Sequence, residues 1–181
     1  MKNKFIPDKK TIIVSIIGAL LFMELFMFVW IPSPTFEVNF HTAYSVDAFF
    51  AALFGPVAGC LIAFFGHLLA DTFLYGSPWI SWTIASGVLG YITGLSAKKL
   101  RVNQGIFTFR DALIFNIYQL IGNIVAWLIV APILDIIIYK EPPLISELLM
   151  TCIPDSLSMG VTGTLMIYIY TRIFSIGKKE I

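Results

Sequence analysis

Long apolar runs alternate with short polar or basic stretches along almost the whole chain. A spanning helix needs about twenty mainly apolar residues. Six runs approach that length: Thr11–Trp30, Thr42–Phe54, Pro56–Tyr75, Trp79–Ala97, Asp111–Ile138 and Ile145–Phe174. The breaks between them carry turn chemistry: two prolines in Ile31–His41, then Gly55-Pro56, Gly76-Ser77-Pro78 and Pro142-Pro143. The second run is short, and the fifth is long enough to tilt. The pattern predicts an all-α integral membrane protein with six transmembrane helices. It forms a single membrane domain over residues 1–181, with no soluble domain, low-complexity tract or internal repeat.

Charge tests the count. Cytoplasmic loops collect Lys and Arg. With the N-terminus inside, Lys2, Lys4, Lys9, Lys10, Lys98, Lys99, Arg101, Arg110, Arg172, Lys178 and Lys179 all fall inside, eleven of the twelve basic residues, and only Lys140 falls outside. Five or seven helices would spoil this partition, so both termini are expected in the cytoplasm. Trp30, Tyr75, Trp79, Trp82 and Tyr139 mark the outer interface as an aromatic belt. The basic start followed by about twenty apolar residues has no small-residue cleavage site, so it reads as a retained helix.

Composition agrees: 58% of the 181 residues are apolar and the net charge is near zero, which gives nucleic acid no purchase. Cys60 and Cys152 lie in apolar runs and read as packing residues. No Cys/His spacing for a metal appears, and neither a metal nor a cofactor is expected. Small residues recur four apart, as expected where lipid-embedded helices pack closely.

The ionisable and amide residues inside the runs carry the functional reading, because such groups are costly in a bilayer. Glu24 and Asp47 lie in the first two helices. His67 and Asp71 share a face of the third, with Tyr75 a turn further out. Asn116, Gln119, Asn123 and Trp127 form a stripe on the fifth, continued by Asp135. Unsatisfied amides in lipid cost several kcal/mol each, so this stripe is expected to face a cavity or the bundle interior. Pro154 and Asp155 are expected to line the same cavity, with Trp79, Trp82 and Ser86 on the fourth helix. Glu37, Asn39 and His41 lie in the first outer loop. Aromatic rings with convergent amides and carboxylates suit a small planar polar ligand. No hydrolase, metalloprotease or phosphate-loop motif appears, so the chain does not read as an enzyme.

Specific strings add to this. Phe54-Gly55-Pro56, Gly66-His67, Asp71, Tyr75-Gly76-Ser77, Trp79, Ser81-Trp82 and Ile84-Ala85-Ser86-Gly87 are followed by Phe115-Asn116, Gln119, Asn123, Trp127, Ala131-Pro132, Leu134-Asp135-Ile136, Tyr139, Glu141-Pro142 and Gly163-Thr164. In order and spacing, over about residues 11–172, the chain resembles the substrate-binding S component of energy-coupling-factor (ECF) vitamin transporters, in the riboflavin-transporter-like subfamily. The resemblance implies a multi-pass subunit of the bacterial plasma membrane that captures a vitamin or vitamin precursor outside. It also implies docking on a transmembrane T component that carries two cytoplasmic ATP-binding subunits. It points to Ser15, Gly18 and Ala19 as the helix-1 docking residues, and to a pocket in the first outer loop and the outer halves of helices 4–6. The chain departs from the subfamily in having apolar residues around Met27 where Arg is common, and acids at Asp47 and Asp155 where a neutral residue and Asn are usual. More negative charge favours a ligand with a basic or amine-bearing ring. A thiamine-related pyrimidine such as hydroxymethylpyrimidine fits; riboflavin, a cobalamin or another vitamin stays open. A stand-alone proton-coupled carrier using Glu24, Asp47, His67 and Asp71 is the competing reading.

The orientation has a direct test. In a chain with Cys60 and Cys152 replaced by serine, a membrane-impermeant maleimide is expected to label Glu141→Cys in intact cells, and Asn103→Cys only after permeabilisation. The reverse pattern would invert the topology.

Overall fold

The computed structural model describes residues 7–32 and 40–177, and they are mostly helical. The chain runs through α1 (Lys9–Phe28), a two-residue strand β1 (Trp30–Ile31), its antiparallel partner β2 (Phe40–His41), α2 (Ala43–Phe54), α3 (Pro56–Tyr75) and α4 (Ile80–Gly94). It continues through α5 (Phe109–Val125), α6 (Ala131–Ile138), α7 (Ile145–Ser158) and α8 (Thr164–Gly177). α5 and α6 are one continuous run joined by a π turn, Ala126–Val130; a second π turn, Met159–Gly163, joins α7 to α8. Pro132 lacks the N–H a regular α turn would use, and the ladder widens just before it. Among the described residues, four helical stretches are long and apolar enough to cross a membrane: Lys9–Phe28, Pro56–Tyr75, Ile80–Lys98 and Phe109–Ile138.

The ends follow local chemistry. Asp8 caps α1 by accepting from the Thr11 amide at 2.8 Å. Gly76, at φ 78°, supplies the left-handed residue that stops α3. Lys140 closes α6 at φ 63°, its ammonium donating to the Ile137 carbonyl at 2.9 Å. Thr108 and Asp111 form a capping box on α5, and Arg101 holds Asp111 from outside the helix at 2.7 Å.

The α2 helix, twelve residues, is about 18 Å long, too short to span a bilayer alone. It sits inside the bundle, with Ala43–Ala48 and Ala51–Leu53 all buried. Around it α3 and α4 cross at Gly59 and Gly90. A side chain on either glycine would strike the backbone of the other, and one on Gly90 would also lie 2.9 Å from the Asp47 carboxylate. Small residues permit this approach, which is how helices gain packing energy in lipid. Asp47 is fully buried beside the crossing, and neither carboxylate oxygen has a hydrogen-bond partner among the described residues.

On α1 the small residues face α3 rather than the exterior. Ser15, Gly18 and Ala19 are buried, and a side chain on Gly18 would meet Ile62 of α3. The exterior face is instead aliphatic, with Ile13, Ile17 and Leu20 exposed and Glu24 exposed among them.

Gly90→Val is therefore expected to destabilise the bundle by about 1–3 kcal/mol, the usual range for overpacking. A detergent melting curve checks it; an unchanged midpoint would mean the crossing is looser than the structure has it.

Candidate functional site

Where β2, the α3–α4 turn and the α6–α7 turn meet, the bundle encloses an open cavity of about 960 Å³. That lies in the size range of small-molecule sites. Its aromatic wall is Phe26, Tyr75, Trp79 and Trp82; its acids are Asp71, Asp135, Glu141 and Glu147; His41 and His67 complete the polar lining. Among the described residues that line it there is no Lys or Arg.

One carboxylate organises the wall. Asp135, 4% exposed on α6, accepts from the Trp79 indole at 2.8 Å, from the Trp82 indole at 3.0 Å and, more closely still, from the Ser81 hydroxyl. Asp71 accepts from the Trp79 amide at 3.0 Å, and the Tyr139 hydroxyl accepts from the Ile80 amide at 2.9 Å. The first amides of α4, which no helical carbonyl can serve, are thus satisfied by α3 and α6. The Trp79 and Tyr139 rings pack at 4.5 Å.

A second network runs inward from the cavity lining, starting at Asp71 and His67. His67 Nε2 lies 3.4 Å from Asp71 Oδ1, and its Nδ1 lies 2.6 Å from the Ser86 hydroxyl. The Tyr44 hydroxyl reaches Ser86 at 3.0 Å and His67 Nδ1 at 3.3 Å. The order Asp71–His67–Ser86 has the connectivity of a hydrolytic triad, but Ser86 is fully buried and its hydroxyl is engaged between Tyr44 and His67. The arrangement ties α2, α3 and α4 together. His41 stacks on Phe26 at 4.1 Å, nearly parallel. Burial is the main cause that lowers its pKa from 6.5 to about 4, so the ring is neutral at physiological pH.

Of the residues read from the sequence, His41, His67, Asp71, Tyr75, Trp79, Trp82 and Asp135 line this cavity. Gln119, Asn123, Trp127 and Asp155 do not: all four are buried one layer behind it. There the Trp127 indole donates to Asn123 Oδ1 at 3.1 Å, Asn123 donates to Gln119 Oε1 at 3.0 Å, and Asn116 donates to Thr164 at 2.9 Å. The amides satisfy one another, and Trp127 backs the cavity wall by packing on Trp82 at 5.5 Å. One oxygen of Asp155 has no hydrogen-bond partner among the described residues. Glu37 and Asn39 lie outside the described residues. Sequence reasoning missed Phe26, Glu141, Pro143 and Glu147. The signal for three of them was the acid-flanked Pro142-Pro143 turn, read only as a connection.

The chain matches, over residues 7–173, a family model described as the ECF-type riboflavin transporter S component. A UPF0397 protein of Clostridium perfringens is 44% identical over 173 residues, covering 94% of this chain and 92% of the relative. UPF0397 proteins of Lactococcus lactis subsp. cremoris and Lactobacillus helveticus are 39% and 41% identical, covering 94% and 89% of this chain and 93% and 88% of their own. Among solved structures, the S component for biotin from an ECF-type ABC transporter shares the fold, with a TM-score of 0.54 at 20% identity over 92% of this chain and 91% of that one.

Asp135→Asn puts an amide group where donors converge. It is expected to cost about 1.5–3 kcal/mol, the range for hydrogen bonds to a charged group, and to change the tryptophan emission. An unaltered spectrum and melting midpoint would show that Asp135 does not hold the indoles.

Proposed function

The chain belongs to the family of ECF-type riboflavin transporter S components, the substrate-binding subunits of ECF transporters, and on that premise we propose that it captures a small aromatic ligand bearing a basic or amine-substituted ring. The observation that carries this is the chemistry of the cavity: four acids, two indoles and two imidazoles, with no Lys or Arg among the described lining residues. Asp71, Asp135 and Glu147 accept from backbone amides, indoles or a hydroxyl, and no Lys or Arg lines the cavity among the described residues, so the site favours positive charge and disfavours phosphate. The indole faces suit a flat heterocycle, and cation–π attraction strengthens as the ring gains charge. A thiamine-related pyrimidine such as hydroxymethylpyrimidine fits this lining; riboflavin, a cobalamin and other vitamins are the alternatives.

In this reading the chain crosses the plasma membrane of a bacterium six times, with both termini inside. The cavity opens outward, and the subunit works with a transmembrane T component and two ATP-binding subunits that hydrolyse the ATP. Ser15, Gly18 and Ala19 then act as the seam that lets α1 lie close on α3, and the exposed face of α1 around Ile13, Ile17 and Leu20 meets the T component. Asn123, Gln119, Trp127 and Asp155 act from behind the wall by fixing Trp82.

Mass spectrometry of the small molecule that co-purifies with the full chain is the primary test. A pyrimidine or another amine-bearing heterocycle is expected; a phosphorylated or carboxylate ligand would overturn the reading. Titration with the identified molecule should show Trp82→Ala weakening binding by at least about tenfold, roughly 1.4 kcal/mol. Asn123→Ala should weaken it less.

A further inference from the structure

The four acids of the outer cavity are not equivalent. Asp135 holds two indoles and the Ser81 hydroxyl, Asp71 holds the Trp79 amide, and Glu147 accepts from the Leu144 amide at 3.2 Å. Each of these carboxylates already serves the fold, and a ligand that drew one away would leave a donor unpaired. Glu141 differs. It lines the cavity and makes no hydrogen bond or ion pair with any described residue. The cation next to it in the chain, Lys140, is engaged elsewhere, its ammonium donating to the Ile137 carbonyl at 2.9 Å.

The turn that carries Glu141 is anchored on both sides. Before it, the Tyr139 hydroxyl accepts from the Ile80 amide at 2.9 Å, and the Tyr139 ring packs on Trp79 at 4.5 Å. After it, Pro142 and Pro143 have fixed φ, and Pro142 biases Glu141 itself toward extended backbone. The Leu144 amide that follows is the one Glu147 holds. An unengaged carboxylate on a stiff turn thus shares a cavity with the Trp79 and Trp82 indoles. That pairing suits an aromatic ring that carries a basic group: the ring lies on the indoles and the base meets the acid. We propose that Glu141 is the specificity-determining residue of the cavity. It pairs with the amine or protonated ring nitrogen of the ligand, while Asp71, Asp135 and Glu147 keep their structural partners. The assignment rests on the ligand class proposed above and names the residue that reads it.

Equilibrium binding of two probes to the full chain tests it: hydroxymethylpyrimidine with its ring amine, and the same pyrimidine with a hydroxyl in place of the amine. The unmodified chain should favour the amine, and added salt should narrow that preference. Glu141→Gln should lower the preference by about fivefold, the upper range for an ion pair that solvent still reaches. The melting midpoint should not move, because the carboxylate has no partner in the fold to lose. Glu141→Asp, which keeps the charge, should retain part of the preference. A preference that survives Glu141→Gln, an equal loss of both probes, or a lowered midpoint would each overturn the assignment and leave the ligand class standing. No preference for the amine in the unmodified chain would overturn the ligand class itself, and the role of Glu141 with it.

Discussion

The Asp135 carboxylate takes the two indole N–H groups of Trp79 and Trp82 and the hydroxyl of Ser81, all from the first turn of α4 and the residue before it. Much of the cavity end depends on that exchange. The bilayer offers no water to satisfy a polar group, so a partner within the protein is worth most there. Here the solution also builds the site. The carboxylate that neutralises the donors fixes the two largest rings of the cavity wall, and the Asp71 carboxylate that serves the Trp79 amide is also the one His67 faces.

This arrangement shapes the electrostatics. Asp71 and Asp135 are stabilised by neutral donors, and Glu147 accepts from the Leu144 amide at 3.2 Å where α7 begins. None of these bonds cancels a charge. Three of the four cavity acids are thus held in place on a lining that has no Lys or Arg among the described residues.

The two ends of the bundle use different physics. The cavity end is built from hydrogen bonds between side chains on separate helices. The middle is built from steric fit, with Gly59 against Gly90 and Gly18 against Ile62, where van der Waals packing replaces a hydrophobic drive that lipid cannot supply. The basic end relies on local capping and on the ion pair of Arg101 with Asp111, and leaves an apolar recess on the outer surface of the helices.

The hydropathy pattern was enough to locate the helical runs, because a bilayer imposes a length and an apolarity that can be read residue by residue. The cavity residues on α3 and α4 were legible for a similar reason. His67 with Asp71, and Trp79 with Trp82, recur at helical spacing and are too polar or too amphipathic to face lipid. Direction was not legible. The stripe of Asn116, Gln119, Asn123 and Trp127 had to face inward, but only the packing of α5 against α7 and α8 turned it into a self-satisfying ladder behind the wall instead of the wall itself. Ser15, Gly18 and Ala19 had to permit a close approach, and only the placement of α3 decided that the approach is internal. Spacing fixes which residues share a face; which neighbour that face meets depends on the helices around it, and those are distant in sequence.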